Sequence, residues 1–496
     1  MSDSSYCGYM EMRERSLHKA LEGTTRRTTS SCQATQRFGM ASGLFGGVNT
    51  LRRAVAVPVH FTSHQLCSAV FVAGLEPTEF YSEAIAPKIR PVDGLMRYQI
   101  DRERREVRVD LAGLLHSHAV HEGPYGCRVI RPDDGFPRSD QSGAPYSPAA
   151  QPPNTSPDVI VPENAALSSA LDQAFSEPAS APHRWTKAVI VFHRGRIVGE
   201  RYAPGITPTT PLIGWSMTKS FTNTLLGILV REGKLDMSAP APIVEWSAVD
   251  DPRRHITCDE LLRMVSGLNG GESLHSGWKT MFDTDTQMEF DMADQAACAA
   301  CAGLRAQPGR EWRYTNYNFI LLSRIIRDAA GGDRASTFRF VERELFGPLG
   351  IQNATLEYDS AGTPLGTIHL WASARDWGRL GLLYLRDGIS PSGQRILPEN
   401  WVDYSARLTP QSDEYGYGAG FWTQRGNCSG GRKRIAAGLP ADSFMAFGSP
   451  GGQYAIIIPS EDLVIVKIGW SYTSNDDFAA VSLLVKETIA ALRSDK

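Results

Sequence analysis

Two pairs of short apolar segments constrain the fold of this 496-residue chain more than any other feature. Segments 188–192 and 197–202 flank His193-Arg194-Gly195-Arg196, and segments 454–458 and 463–468 flank Pro459-Ser460-Glu461-Asp462. Apolar runs of this length around a turn predict β-hairpins. Helical periodicity falls between or after the hairpins, at 217–231, 318–329, 372–386 and 476–492. The sequence therefore predicts an α+β fold, with an antiparallel sheet built from both hairpins and helices packed on it.

The part before residue 163 differs in character. Residues 1–60 carry eight basic and four acidic side chains, and Arg52 and Arg53 interrupt their one apolar stretch. We expect this segment to be disordered or leader-like, with no readable secretory signal, which favours the cytoplasm by default. Residues 61–130 are predicted to be a small folded extension with a strand-like run at 66–73 and a strand pair within 97–111. Eight prolines make 131–162 a linker.

Composition excludes several classes of protein. Fifty-one Lys and Arg against 54 Asp and Glu give a formal charge of −3, which argues against a nucleic-acid binder. There is no apolar run of membrane-spanning length. Eight cysteines are too few for a disulfide scaffold, although Cys67 and Cys127 bracket the extension and would pair in an exported protein. No metal-binding motif is recognised.

The strongest chemical signal is Gly214-Trp215-Ser216-Met217-Thr218-Lys219-Ser220. Ser216 stands where a loop is expected to become a helix, and Lys219 lies three residues on, so both side chains share one helix face. A lysine whose pKa is lowered can deprotonate a serine hydroxyl and make it a nucleophile. The alternative is structural, with Ser216 as a helix cap and Lys219 as a solvated lysine.

Two further segments add to this signal. Tyr314 and Asn316, two residues apart, can point into one cleft, where a phenol can move a proton and an amide can hold a carbonyl. Segment 447–453 places Gly451 and Gly452 directly before an apolar strand, and these glycines let a substrate approach the strand closely. The structural alternatives are a surface turn and an ordinary hairpin turn.

Together these segments resemble the serine β-lactamase and penicillin-binding-protein superfamily, which uses S-x-x-K, Y-x-N and a third element on a strand. "GWSMTKSFTNTLLGILVREGKLDMSAP", "LLRMVSGL", "PGREWRYTNYNFILLSRII" and "WASARDWGRLGLLYLRDG" are similar to class C enzymes. Among these, the branch of 6-aminohexanoate-dimer hydrolases and carboxylesterases is the most similar. The resemblance spans roughly 160–496, and it implies a mostly helical subdomain beside the sheet, a catalytic domain at 163–496, and a periplasmic location as a second option.

The resemblance also implies roles for individual residues. Ser216 would be the acylated nucleophile, and Lys219 and Tyr314 would move protons. Asn316 would orient the substrate, and the backbone N–H groups of Ser216 and Gln453 would form the oxyanion hole. No cofactor and no metal would be needed. The substrate would be a small ester or amide, and the sequence gives no indication of the oligomeric state.

Two departures from the family pattern bear on the substrate. The third element has Ser449 and Pro450 where β-lactamases carry a lysine or histidine that binds a carboxylate. In the loop after "SGL", Glu272 fits the acidic residue of the nylon-oligomer hydrolases, but Leu274 replaces their tyrosine. These departures favour ester over amide cleavage. A catalytically silent ligand-binding relative and a transacylase using the same serine are the alternative functions.

Overall fold

The computed structural model of the protein describes residues 44–131, 158–271, 278–448, 452–471 and 474–494. Its helices begin with α1 (Leu44–Phe71), α2 (Pro77–Phe80), α3 (Ala165–Ala174), α4 (Thr218–Arg231), α5 (Cys258–Leu262), α6 (Thr284–Asp291) and α7 (Gln295–Ala300). They continue with α8 (Asn316–Ala330), α9 (Arg334–Val341), α10 (Gly347–Leu349), α11 (Ala374–Leu385), α12 (Trp401–Ala406), α13 (Ser429–Ala436) and α14 (Ser474–Ser494). The long helices that periodicity predicted are therefore confirmed.

The strands form three sheets. The first is β1 (Met96–Asp101), β2 (Glu106–Leu111), β3 (Leu115–His121) and β4 (Cys127–Ile130), paired in chain order. The second has six strands in the order β10-β11-β12-β13-β5-β6. Its members are β5 (Thr186–His193), β6 (Arg196–Tyr202), β10 (Trp422–Thr423), β11 (Phe444–Gly448), β12 (Gln453–Ile458) and β13 (Leu463–Gly469). The third is small, in the order β7 (Leu212–Ile213), β9 (Leu370–Ala372) and β8 (Ala354–Leu356).

Both predicted hairpins meet at the centre of the six-stranded sheet. Strand β13 pairs antiparallel with β12 on one side and with β5 on the other, so the two ends of the domain share one sheet. Every residue of β12 and β13 is buried, and burying one Val, Leu or Ile side chain contributes about 1.5–3 kcal/mol. The predicted α+β architecture, an antiparallel sheet flanked by helices, is confirmed.

Helix α11 packs closely on this sheet because two of its residues are glycines. A Cβ on Gly378 would lie 2.0 Å from the ring of Phe192, and one on Gly381 would lie 2.6 Å from Val464. The lack of side chains at these positions lets the helix backbone approach β5 and β13. The helices α4, α5, α6, α7 and α8 form the mostly helical part, which contributes segments of the candidate site described below.

The structure of the N-terminal extension differs from the sequence prediction in two places. Run 66–73 was predicted to be a strand and instead forms the end of helix α1. A short apolar run cannot be assigned from its period alone, and this one is apolar because α1 is packed between the first sheet and helix α6. The described chain is already helical from Leu44, within the segment predicted to be disordered or leader-like.

Other predictions for the extension concern its strands, its cysteines and its linker. The strand pair predicted within 97–111 is present as β1 and β2, and a disulfide joins Cys67 on α1 to Cys127 at the start of β4. Residues 1–43 and most of the predicted linker, 132–157, lie outside the described residues. In the described ranges, no helix combines the length and the apolar character needed to cross a membrane.

Candidate active site

The candidate nucleophile lies on a tight turn between the third sheet and helix α4. Strand β7 ends at Ile213, residues Trp215–Met217 form a 3-10 turn, and α4 follows directly. A Cβ on Gly214 would lie 2.2 Å from the ring of Trp377, so only glycine fits there. Trp215 has a φ of +45°, a conformation that bulky residues adopt only where the surroundings enforce it. The turn therefore fixes the position of Ser216 just before the N-terminus of α4.

Lys219 lies directly against the hydroxyl of Ser216. Its Nζ is 3.0 Å from Ser216 Oγ and donates at 3.2 Å to the carbonyl oxygen of Thr367. Both side chains are buried, Lys219 to 1% exposure. Burial lowers the pKa of Lys219 from 10.5 to about 8, against the opposing effect of two acidic residues, Glu289 and Asp285. A minor neutral fraction of Lys219, much larger than for a free lysine, is therefore available near neutral pH to accept a proton.

Tyr314 completes the group around Ser216. Its hydroxyl shares a hydrogen bond with that of Ser216, and its ring centroid lies 5.0 Å from Lys219 Nζ. Burial raises the pKa of Tyr314 well above its usual 10, so the phenol stays protonated at neutral pH. The structure thus brings together the three residues that the sequence predicted to be catalytic, with Lys219 as the better base.

An aromatic wall holds Tyr314 in place. Its ring lies 6.1 Å from Trp312, 5.9 Å from Tyr417 and 5.8 Å from Trp422, measured between centroids. Pairs at such distances stabilise each other beyond simple burial. Trp422 begins strand β10 of the main sheet, so this wall joins the site to the edge of that sheet.

Asn316 is the first residue of helix α8 and contacts two buried acidic side chains that the sequence reading missed. Its Nδ2 donates to Glu289 Oε1 at 2.7 Å, and its backbone N–H donates to Asp285 Oδ2 at 2.6 Å. Asp285 also accepts from the hydroxyl of Thr315 at 2.7 Å. Asp285 and Glu289 are one helical turn apart on α6, and that i, i+4 spacing is the only signal from which the sequence could have suggested them.

Glu289 and Lys219 interact electrostatically across the site. Burial raises the pKa of Glu289 from 4.5 to about 8, and the charge of Lys219 opposes this increase. The ionised carboxylate in turn favours the protonated form of Lys219. Interacting groups of this kind titrate as a pair, so Glu289 is positioned to set the pH at which Lys219 becomes neutral.

The start of strand β12 lies beside the turn that carries Ser216. Gly448 of β11 pairs with Gln453, and a Cβ on Gly448 would lie 2.7 Å from the carbonyl oxygen of Gly214. The Gln453 side chain donates to the carbonyl oxygen of Gly469 at 2.9 Å and is thereby held along the sheet. Strands β11 and β12 are thus both adjacent to the turn at residues 215–217.

Gly452 precedes this strand and has a φ of +76°. Beneath it is a buried ion pair between Lys467 and Asp477, with 2.6 Å between Nζ and Oδ1. A Cβ on Gly452 would lie 3.2 Å from Lys467 Nζ and from Asp477 Oδ2. Of the other predicted substrate-binding residues, Glu272 and Gly451 lie outside the described residues, as do Leu274, Ser449 and Pro450.

The N-terminal extension also reaches the site, which no sequence signal indicated. The ring of Phe61 on α1 stacks on Trp215 with 6.2 Å between centroids, and it meets Phe290 edge-on at 5.1 Å. Lys88 Nζ lies 4.0 Å from the ring centroid of Trp215. The extension therefore packs on the residue that precedes Ser216.

Comparisons with known proteins identify the family of the main domain. The sequence profile of the beta-lactamase family matches residues 171–489. The chain is 24% identical over 310 residues to a 6-aminohexanoate-dimer hydrolase of Paenarthrobacter ureafaciens, which covers 57% of this chain and 72% of that protein. It is 28% identical over 173 residues to a D-aminopeptidase of Gluconobacter oxydans, over 34% of this chain and 30% of that protein.

A solved structure from Bacillus anthracis, provisionally designated a 6-aminohexanoate-dimer hydrolase, has the same fold. It superposes with a TM-score of 0.52 at 21% identity and covers 63% of this chain and 80% of that one. The family profile begins after the N-terminal extension and falls on the main domain.

Proposed function

The chain belongs to the beta-lactamase family, and we propose that it is a serine hydrolase that cleaves small amides or esters through an acyl-enzyme on Ser216. The observation that carries this proposal is the 3.0 Å contact between Lys219 Nζ and Ser216 Oγ inside a buried site. A serine needs an adjacent base to act as a nucleophile, and a lysine with a lowered pKa supplies one.

Acylation begins when neutral Lys219 takes the proton of Ser216 Oγ. The oxygen attacks the carbonyl carbon of the substrate, and the carbonyl oxygen becomes an oxyanion held by the N–H groups of Ser216 and Gln453. The bond to the leaving amine or alcohol then breaks. Tyr314 donates its phenolic proton to the leaving group and regains a proton from Lys219, which returns to its neutral form.

Deacylation reverses these proton movements with water as the nucleophile. A water molecule loses one proton to Lys219, directly or through Tyr314, and its oxygen attacks the acyl carbon. The bond from that carbon to Ser216 Oγ breaks, and Oγ takes the proton from Lys219. The products are a carboxylic acid and the regenerated enzyme.

The hydrogen-bonding groups of Asn316 support amides as substrates. Its Nδ2 is occupied by Glu289, while its Oδ1 has no hydrogen-bond partner among the described residues. A buried carbonyl oxygen of this kind is an acceptor for a substrate N–H, which an amide has and an ester lacks. The names of two relatives, a 6-aminohexanoate-dimer hydrolase and a D-aminopeptidase, support amides as well. We therefore place amides beside the esters that the sequence favoured.

Two alternative functions differ from hydrolysis in what happens at Ser216. A silent ligand-binding relative would form no acyl-enzyme, and the buried contact of Ser216 with Lys219 argues against it. A transacylase would form the acyl-enzyme but pass it to an amine or alcohol.

Rapid-mixing kinetics test this proposal. With excess p-nitrophenyl ester, the wild type should release a burst of one nitrophenolate per enzyme before steady turnover. Ser216→Ala should give no burst, and Ser168→Ala, a serine on α3 outside the site, should behave like the wild type. A folded wild type without burst or turnover on esters and anilides would contradict the proposal, and added amine that captures most of the acyl group would favour the transacylase.

A further inference from the structure

We propose that His64, Glu357 and His369 bind one divalent transition-metal ion of the Zn²⁺ type, at the contact between the N-terminal extension and the main domain. This site is separate from Ser216 and does not depend on the proposed hydrolase activity.

The three side chains come from distant parts of the chain. His64 lies on α1 of the extension, Glu357 directly follows β8, and His369 directly precedes β9. Their exposed fractions are 5%, 0% and 0%. One candidate ligand atom from each lies within 4.8 Å of the other two. The fold of two regions, and not local sequence, therefore creates the cluster.

The spacing of the cluster suits a small metal ion. Two ligands bound tetrahedrally at zinc distances are about 3.4 Å apart. His64 Nε2 and Glu357 Oε2 are 3.2 Å apart, and the imidazole rings of His64 and His369 have their centroids 4.5 Å apart. Two of the three ligand atoms thus already have the separation that one ion would impose, and His64 Nε2 would exchange its 3.0 Å contact with the carbonyl oxygen of Cys127 for the metal.

Unpartnered polar atoms point to a ligand as well. Glu357 Oε2 and His369 Nδ1 are buried and make no hydrogen bond within the described residues. Among the described residues, Glu357 forms an ion pair with His64 and with no lysine or arginine. Burial removes the hydration of a carboxylate charge, so a carboxyl group at a buried position gains from a cation beside it. A metal ion would compensate for this charge.

The remaining contacts of Glu357 resemble the outer support of a metal ligand. Its Oε1 accepts from Ser68 Oγ at 2.6 Å and from the backbone N–H of Cys127 at 2.8 Å. Such bonds fix the orientation of a ligating carboxylate. The Cys67–Cys127 disulfide lies beside these donors and joins the two elements that carry them.

The ligand set selects the class of metal. Two imidazoles and one carboxylate suit zinc and similar transition metals, whereas magnesium and calcium prefer oxygen ligands. Gln65 borders the site, since its Nε2 is 3.1 Å from His369 Nε2, and its Oε1 makes no hydrogen bond with any described residue. Its amide oxygen is the nearest candidate for a further ligand after rotation of the amide.

Metal titration of the tag-free, full-length protein tests the proposal. After dialysis against a chelator, the wild type should bind one Co²⁺ with visible absorption typical of low coordination number. It should bind one Zn²⁺ that displaces the Co²⁺, and should not bind Mg²⁺. His369→Gln and Glu357→Gln should each weaken binding by more than the ~10–100-fold that loss of an outer partner costs. His116→Gln, a mostly exposed histidine, should bind like the wild type.

The wild-type titration decides the proposal even if both variants fail to fold. Absence of stoichiometric Co²⁺ and Zn²⁺ binding by folded wild type would overturn it and leave a His64–Glu357 ion pair in its place. Undiminished binding by folded His369→Gln and Glu357→Gln would also overturn it. Ester hydrolysis is measured on the same samples, so a failure of metal binding can be distinguished from a failure of the proposed hydrolase activity.

Discussion

Replacing Glu289 with glutamine should move the activity of the enzyme to lower pH. Gln is nearly isosteric, and its amide oxygen can still accept from Asn316 Nδ2, so the geometry of the site is kept. What is lost is the negative charge that raises the pKa of Lys219. The pKa of Lys219 must therefore fall further below 10.5 in Glu289→Gln, and the neutral base must be present at lower pH.

The magnitude follows from the titration of Lys219. With a pKa of about 8, about 9% of Lys219 is neutral at pH 7. A nearby opposite charge shifts a pKa by about 1–3 units, and we take a shift of at most about 1 because the raised pKa of Glu289 keeps it mostly protonated near pH 7. About 50% of Lys219 is then neutral at pH 7, which allows up to a ~5-fold gain in kcat/KM there and no gain above about pH 9.

The assay is kcat/KM for a p-nitrophenyl ester between about pH 6 and 10. The midpoint of the rise with pH should move down in Glu289→Gln. Asp291→Asn removes the same charge from the same helix, where the side chain contacts His60 instead of Asn316, and should leave the midpoint unchanged. A midpoint in Glu289→Gln that is unchanged or higher would refute the electrostatic account of the site.

Three further predictions concern other parts of the structure. Lys219→Ala and Tyr314→Phe should each lower kcat by about 10²–10⁴-fold with the fold retained, as is usual for a positioned acid or base; near wild-type rates in either variant would remove that residue from the mechanism. Gly452→Ala should reduce kcat about 10-fold, because its φ of +76° and the ion pair beneath it resist a side chain; an unchanged kcat would argue against a precise position for this segment. Replacing Cys67 and Cys127 together by serine should lower the free energy of unfolding by about 4 kcal/mol in the chain-entropy treatment of a loop of this length, because the linked residues are 60 apart; urea unfolding measures this, and a loss under about 1 kcal/mol would contradict it.

The sequence could predict the main domain because its signals there are local. Apolar hairpins specify β5, β6, β12 and β13, and helical periodicity specifies α4 and α8, since neighbours along the chain also pack together in these elements. Ser216 and Lys219 are three residues apart on one helical turn, so their contact follows from helix geometry alone. Their proximity to Tyr314 came from family resemblance and not from spacing.

The remaining features depend on contacts between distant segments. Glu289 is 27 residues from Asn316, and apart from its i, i+4 spacing to Asp285 nothing in its own segment indicates that it belongs to the site. Run 66–73 was wrongly predicted as a strand because an apolar run of eight residues fits a strand and a fully packed helix equally well. The cluster of His64, Glu357 and His369 spans about 300 residues of sequence, so only the fold brings it together.

The intact mass of the protein after treatment with a fluorophosphonate tests the central claim most directly. The wild type should gain the mass of one phosphonyl group, and Ser216→Ala should gain none, because an activated serine attacks phosphorus as it attacks a carbonyl carbon. An unmodified, folded wild type, or an equal adduct on Ser216→Ala, would contradict the assignment of Ser216 as the nucleophile.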